Sequence, residues 1–184
     1  MRVTKSEIEG VVIIDPEIHG DERGWFCEAY SQRRFDEEVA PVRFVQENLS
    51  KSRYGVVRGL HYQRGEAAQA KLVSVLAGRV LDVAVDIRKG SPTFGKHVAV
   101  ELSAENKRQV FIPRGFAHGF AVLSEEVLFQ YRCDNPYAPT EERGIAWNDP
   151  AIGIDWGIPE EDVILSAKDV KNPLLADVED LFEL

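Results

Sequence analysis

The chain has 184 residues, of which 44% are hydrophobic and 29% charged, a composition typical of one globular domain. Its formal net charge of -9 argues against a broad nucleic-acid or membrane surface, because both require clustered lysines and arginines. No apolar run approaches the roughly 20 residues that cross a bilayer, and the N-terminal stretch lacks an apolar signal core. We therefore expect a single domain over residues 1–184, located in the cytoplasm. The two cysteines, Cys27 and Cys133, are expected to be buried, reduced thiols.

The first predicted element is a short helix that begins after Ser31, a good capping residue. Tyr30 before the cap and Phe35 at the fourth helical position are placed as a hydrophobic staple. Beyond it, short runs rich in Val, Ile and Phe are separated by glycine or proline, which is an all-β pattern. Residues 80–88 alternate strictly, so we expect one face to meet a core and the other to meet solvent or a cavity.

The last third of the chain reads differently. Residues 135–156 are rich in Pro, Asp, Asn and Gly and are predicted to form an ordered loop. After it, apolar residues at helical spacing predict a C-terminal helix that packs on the β core; they are Leu174, Leu175, Val178, Leu181 and Phe182. Many short strands with closely spaced turns predict an all-β jelly-roll barrel with short peripheral helices, and such barrels bind ligands in their mouths.

Polar residues are concentrated between Gln46 and Gln63, in QENLSKSRYGVVRGLHYQ, where an ordinary buried strand would be apolar. A lone histidine is most often structural, but His61 stands among arginines and amides that suit an anionic ligand able to exchange a proton. Strict alternation would put Arg58 and His61 on opposite faces. If both contact one ligand, Gly59 should mark a bulge.

A second string, IPRGFAHGF, surrounds His118 with glycines and a proline, which predicts a tight turn, and it resembles the second motif of the cupin superfamily. Metal-binding cupins typically draw two histidines and a glutamate from their first motif. This chain offers only His61 there, with Gln63 where the second histidine would be expected. Such a set is a poor divalent site, so no metal is expected.

Three further groups are weak signals when taken alone. Lys71 opens a strand, where most lysines are solvated. Tyr131 lies on an alternating face, where tyrosines are mostly core residues, and LSAKD at 165–169 is typical of a surface turn. Their order along the chain is far more specific, since it runs DERGWFCE, QENLSKSRYGVVRGLHYQ, AKLV, DVAVDIRKGSPTFGK, IPRGFAHGFAVLSE, Tyr131, ERGIAWNDPAIGIDW and LSAKD. From about Asp21 to Asp169 the chain resembles the dTDP-4-dehydrorhamnose 3,5-epimerase family.

That resemblance implies a cupin-type double-stranded β-helix and a reaction without a cofactor. The family inverts C3 and C5, which flank the C4 ketone of a dTDP-linked 4-keto-6-deoxy sugar. By similarity His61 is the base, held by Asp169; Tyr131 is the acid on the other side; and Lys71 faces the C4 oxygen as it becomes an enolate. The residues that the resemblance assigns to substrate binding are Arg23, Phe26, Glu28, Gln46, Glu47, Asn48, Arg58, Lys71, His118, Glu142 and Lys168.

The resemblance also implies a homodimer in which an N-terminal segment crosses to the neighbouring chain's site. Other readings stay open at this point. Within the family these are a 3- or 5-mono-epimerase and a 3,4-ketoisomerase; outside it they are a metal-dependent cupin oxygenase and a non-catalytic sugar-nucleotide-binding cupin. The presence of both His61 and Tyr131 favours double inversion, because each carbon needs a base on one face and an acid on the other.

Overall fold

The computed structural model describes residues 1–184 and consists mainly of β-strands, with one α-helix, α1 (Gln32–Glu38). Single 3₁₀ turns lie at Gly65–Ala67, Glu160–Asp162, Asp169–Lys171 and Leu175–Asp177. The strands are β1 (Arg2–Lys5), β2 (Val12–Asp15), β3 (Ile18–Asp21), β4 (Gly24–Cys27), β5 (Gln46–Arg53), β6 (Val57–Gln63), β7 (Lys71–Ala77), β8 (Arg79–Asp86), β9 (Arg88–Lys89), β10 (His97–Ser103), β11 (Gln109–Ile112), β12 (Phe116–Val122), β13 (Glu126–Cys133), β14 (Glu142–Gly144) and β15 (Phe182–Glu183).

Two antiparallel sheets carry the fold. One has six strands in the order β1-β2-β11-β7-β13-β5, and the other has five in the order β10-β8-β12-β6-β14. Their inner faces pack together, as the rings of Phe120 on β12 and Phe129 on β13 show by stacking with centroids 4.1 Å apart. The predicted all-β jelly-roll class is confirmed. No helix in the structure is long and apolar enough to span a membrane.

Strand β8 has the predicted alternation, and both of its faces are buried. Val83 and Val85 point outward into an apolar cluster formed with the C-terminal segment, and Ala84 points into the core between the sheets. Asp82 lies on that inner face and is 2% exposed. The polar face of this strand therefore meets the barrel interior, because residues 145–182 cover the outer face.

The predicted helix after Ser31 is confirmed, and Tyr30 contacts Phe35 with ring centroids 5.9 Å apart. The Ser31 side chain makes no capping hydrogen bond. Both cysteines are free, as expected, but Cys27 is only half-buried whereas Cys133 is fully buried. Cys27 ends the exposed β3–β4 hairpin, which lies outside both sheets.

The predicted C-terminal helix is wrong. Its apolar residues do pack on the outer face of the five-stranded sheet, but the backbone forms only a 3₁₀ turn at Leu175–Asp177 and the short strand β15. Asp149 holds the start of that turn by accepting a hydrogen bond from the Leu175 N–H at 2.7 Å. Strand β15 pairs in parallel with β9. Tertiary hydrogen bonds therefore replace the helical ones that the spacing suggested.

The tight turn expected around His118 is also misplaced. The chain turns at Arg114 and Gly115, and His118 lies within β12, where it is 7% exposed. Its glycine neighbour, Gly119, serves close packing, since a Cβ there would lie 2.7 Å from the Arg58 carbonyl oxygen. In this string Gly115 thus makes the turn, and Gly119 allows two strands to approach closely.

Candidate active site

A polar cavity of about 340 Å³ opens where the apolar core between the sheets ends. His61 enters it from β6 in the five-stranded sheet, and Tyr131 enters it from β13 in the facing sheet. An imidazole and a phenol thus approach one space from opposite sides. The residues that line the cavity are Gln46, Asn48, His61, Tyr62, Gln63, Gln69, Lys71, Tyr131, Tyr137 and Glu142.

A bulge in β6 brings Arg58 to the side on which His61 lies. The pairing with β12 shifts, because His61 faces His118 whereas Arg58 faces Phe120. Gly59 sits in the bulge with a φ of +132°, and a Cβ there would lie 2.6 Å from the Gly119 Cα. The bulge expected at Gly59 is confirmed, and Arg58 and His61 line one adjoining cavity of about 420 Å³.

His61 and Asp169 form a closely coupled pair. The His61 Nε2 lies 2.5 Å from the Asp169 Oδ1, and the Asp169 side chain is 4% exposed. Burial acts to raise the pKa of Asp169, but the hydrogen bonds from His61 and Ser166, together with the nearby charges of His61 and Lys168, hold this pKa below its ordinary value. A carboxylate can only accept, so Nε2 carries the proton and Nδ1 is left as the basic nitrogen.

Lys71 stands at the first position of β7 with its ammonium 6.0 Å from the centre of the Tyr131 ring. Burial lowers the pKa of Lys71, and the nearby acidic groups, Asp82 and Glu142 among them, oppose that shift. Burial likewise raises the pKa of Tyr131, so its hydroxyl stays protonated at neutral pH. The cavity therefore holds a phenol that can donate a proton beside the amino group of Lys71.

Cys133 faces Lys71 directly across the β13–β7 ladder. Burial raises the pKa of its thiol to about 11. The group is therefore an uncharged thiol at neutral pH and does not compete with His61 as a base.

Glu142 links the two adjoining cavities, since it lines both of them. It accepts a hydrogen bond from the Tyr137 hydroxyl at 2.6 Å and pairs with the Lys168 ammonium at 2.5 Å. Burial acts to raise the pKa of Glu142, but the hydrogen bonds from Lys168 and Tyr137 outweigh it, so this pKa lies below its ordinary value. The side chains of Glu142, Tyr137 and Lys168 thus form a hydrogen-bonded polar surface beside His61.

The amides of β5 continue this polar surface. Gln46 donates to the Asn48 side-chain oxygen at 3.0 Å and accepts from the Tyr137 N–H at 2.9 Å. Arg58 donates to the Ser52 hydroxyl at 3.1 Å. Its guanidinium remains exposed to solvent, so donors remain for anionic oxygens.

Two of the expected binding residues on the strands line neither of the two adjoining cavities. His118 lies beneath the first of them, where its Nε2 is 2.8 Å from Asp82, and burial lowers its pKa. Glu47 alternates to the outer face of β5 and pairs with Arg132 at 2.6 Å. Neither side chain lines this cavity as the chain stands alone.

Three more expected binding residues lie away from the cavity, in and just after the β3–β4 hairpin. Arg23 pairs with its neighbour Asp21 and Glu28 pairs with Arg34. Phe26 is 69% exposed and Trp25 is 61% exposed. The structure does not bring this group to the cavity of its own chain.

Tyr137 and Gln69, which line the cavity, and Asp82 beneath it were not predicted from the sequence. Tyr137 stands in a proline-rich loop, and no local pattern marks it. Gln63 is 4% exposed and holds that loop, since it donates to the Ala67 carbonyl and accepts from the Ala138 N–H, both at 2.7 Å. The structure has no cluster of three or more His, Cys, Asp or Glu side chains able to hold a metal ion.

Comparison with known proteins identifies the family. A family model described as dTDP-4-dehydrorhamnose 3,5-epimerase matches residues 5–177. The enzyme of that name from Salmonella typhimurium is 56% identical over 179 residues, covering 95% of this chain and 96% of the relative. The crystal structure of dTDP-6-deoxy-D-glucose-3,5-epimerase from Legionella pneumophila, in complex with dTDP-4-keto-L-rhamnose, is similar with a TM-score of 0.96 and 50% identity, covering 100% of this chain and 98% of that one. The chain belongs to the dTDP-4-dehydrorhamnose 3,5-epimerase family of isomerases.

Proposed function

We propose that this protein inverts C3 and C5 of dTDP-4-dehydro-6-deoxy-D-glucose to give dTDP-4-dehydro-L-rhamnose, in the biosynthesis of dTDP-L-rhamnose and without a cofactor. The observation that carries the proposal is the entry of His61 and Tyr131 into one cavity from opposite sheets, with Lys71 in the same cavity. Inversion at a carbon next to a ketone requires this arrangement, because the proton leaves from one face and returns to the other.

The proposed reaction at each carbon has two proton transfers. The His61 imidazole removes the proton, the electron pair of the broken C–H bond forms a C=C bond, and the C4 oxygen takes the negative charge. Lys71 stabilises that enolate oxygen. The Tyr131 hydroxyl then protonates the carbon from the opposite face, and Asp169 stabilises the imidazolium in the meantime. Before the second carbon reacts, His61 releases its proton to solvent and the Tyr131 phenolate takes one up.

The nucleotide is proposed to bind along the rest of the polar surface. Arg58 and Lys168 supply positive charge for the diphosphate, and the neighbouring cavity that contains both adjoins His61. Gln46 and Asn48 supply amides on the facing sheet. This placement would leave the 4-keto sugar between the imidazole and the phenol.

The exposed hairpin supports a further part of the proposal, namely a homodimer in which Arg23, Phe26 and Glu28 complete the site of a second copy. Their side chains lie away from their own cavity, and two large aromatic side chains on the hairpin are exposed. Co-expressing an Arg23→Ala chain with a His61→Ala chain tests this idea. Shared sites predict that mixed dimers recover activity that neither variant has alone, whereas self-contained sites predict no recovery.

We also propose the cytoplasm as the compartment. The support comes from the two cysteines, which are unpaired in the structure, as is usual in a reducing environment.

The catalytic part is tested by His61→Ala, with His97→Ala on the peripheral strand β10 as the matched control. Loss of a general base typically costs about 10²- to 10⁴-fold in rate, so His61→Ala should lose most turnover yet still bind dTDP, and His97→Ala should change neither. Equal loss of binding and turnover in His61→Ala would contradict the role assigned to this residue.

A further inference from the structure

Gly144 lies beside the His61–Asp169 pair, and its backbone conformation does not explain why this residue is a glycine. Most glycines in this chain have a positive φ, but Gly144 does not. Any residue could adopt its backbone conformation. The constraint is space, because a Cβ at this position would lie 2.5 Å from the Asn172 Cγ and closer still to both atoms of that side-chain amide.

Each member of this contact is connected to one member of the pair. Gly144 on β14 is the cross-strand partner of His61 on β6. Asn172 follows the 3₁₀ turn that begins at Asp169, and its backbone N–H donates to the Asp169 carbonyl oxygen at 3.2 Å. The next residue, Pro173, accepts a hydrogen bond from the Ala146 N–H at 2.7 Å. The turn is thus fastened to the segment that follows β14.

The Asn172 side chain acts by its volume. Its Nδ2 is buried and has no hydrogen-bond partner. A buried amide nitrogen without a polar contact contributes the space that it fills against Gly144. Through the Asn172 side chain, the turn that carries Asp169 therefore packs directly against the backbone of Gly144.

We propose that Gly144 and Asn172 are positioning residues, in which the amide of Asn172 packed on Gly144 sets how deeply the Asp169 turn docks against β14 and hence how Asp169 meets His61. The effect of this contact on kcat rests on the function proposed above. The geometric consequence, a change in the His61–Asp169 contact, does not.

Gly144→Ala is the direct test, because its methyl group enters space that the Asn172 amide occupies. Because the Asn172 Nδ2 is already buried, we expect the turn that carries it to move outward. Since a displacement of about 1 Å in a catalytic group can cost roughly 100-fold, kcat should fall by about that factor. Affinity for dTDP should change little. A kcat close to that of the unsubstituted protein would overturn the proposal.

Rescue separates this effect from general damage. Asn172→Ala removes all three atoms that the new methyl group would meet, so Gly144→Ala combined with Asn172→Ala should recover most of the lost kcat. Such strong non-additivity is expected only of groups that collide. A double variant as impaired as Gly144→Ala alone would contradict the proposal. If Gly144→Ala folds poorly, Asn172→Gln serves instead, because it lengthens the amide that packs on Gly144 and leaves the sequence of β14 unchanged. Asn172→Gln should show the same loss of kcat, and a normal kcat in Asn172→Gln would likewise refute the proposal.

A readout without substrate keeps the two proposals apart. The proton shared by His61 and Asp169 should give a far-downfield ¹H NMR resonance that is absent from Asp169→Asn. We expect this resonance to be lost in Gly144→Ala and to return in the double variant. If it follows that course in a protein that does not epimerise the sugar, the proposed function fails and the positioning role stands. If the protein epimerises and Gly144→Ala leaves the resonance unchanged, the positioning role fails.

Discussion

Replacing Asp169 by asparagine tests how much the carboxylate contributes to proton abstraction. The substitution keeps the shape of the side chain and removes its charge. In the structure this carboxylate is 4% exposed and lies 2.5 Å from the His61 Nε2. During the reaction the imidazole gains a proton, so a negative neighbour favours the transition state more than the resting state.

The expected size follows from that contact. A hydrogen bond to a charged group contributes about 1.5–3 kcal/mol, more than one between neutral groups. Each factor of ten in rate corresponds to about 1.4 kcal/mol, so Asp169→Asn should lower kcat by roughly 10- to 100-fold. Binding of dTDP should be largely preserved, because the Asp169 carboxylate, although it lines the adjoining cavity with Arg58 and Lys168, is only 4% exposed and is hydrogen-bonded to His61.

The assay compares steady-state kcat and KM for the 4-keto sugar with dTDP affinity from calorimetry. Asp162→Asn is the matched control. Asp162 lies shortly before Asp169 in the chain, but its side chain accepts a hydrogen bond only from the exposed Tyr54. If Asp169→Asn keeps nearly full kcat while folding normally, the carboxylate does not support the base and the reasoning is refuted.

Two other predictions concern the acid and the stability of the barrel. Tyr131→Phe should still allow substrate protons to exchange with solvent but should block full inversion, because the acid on the second face is gone; a normal yield of product would exclude Tyr131 from that role. Asp86 is fully buried and accepts hydrogen bonds from Arg88, Ser91 and Thr93, which outweigh the effect of burial and hold its pKa below the ordinary value. A lowered pKa means that this stabilisation is complete above the unfolded pKa of about 4 and is lost as the pH falls below it. Asp86→Asn should therefore cost about 3 kcal/mol of unfolding free energy at pH 7, and the difference from the unsubstituted protein should shrink on acidification in denaturant titrations; a constant difference down to low pH would contradict the assignment.

The sequence predicted the β architecture well because alternation and glycine spacing are local signals. The bulge at Gly59 was predicted for a chemical reason, namely that Arg58 and His61 must reach one ligand, and the shifted pairing with β12 confirms it. The glycine pattern was less informative around His118, because Gly115 makes the turn before β12 whereas Gly119 serves close packing of strands.

The C-terminal segment shows where local signals run out. Its apolar spacing correctly marked residues that pack on the sheet, yet a side chain far away in sequence, Asp149, and the pairing of β15 with β9 decide the backbone. Tyr137 was missed for a similar reason. Its position depends on hydrogen bonds that its loop donates to the side-chain oxygens of Gln63 and Gln46, and such contacts leave no periodic pattern in a sequence.

The most direct measurement of the central claim is the position of solvent deuterium in the product. The protein is incubated with dTDP-4-keto-6-deoxyglucose in D₂O, and the sugar is examined by ¹H NMR. A base and an acid that face each other across one cavity predict deuterium at both C3 and C5 with inversion at both carbons. Label at one carbon only, a ketone moved to C3, or unlabelled sugar would contradict the account.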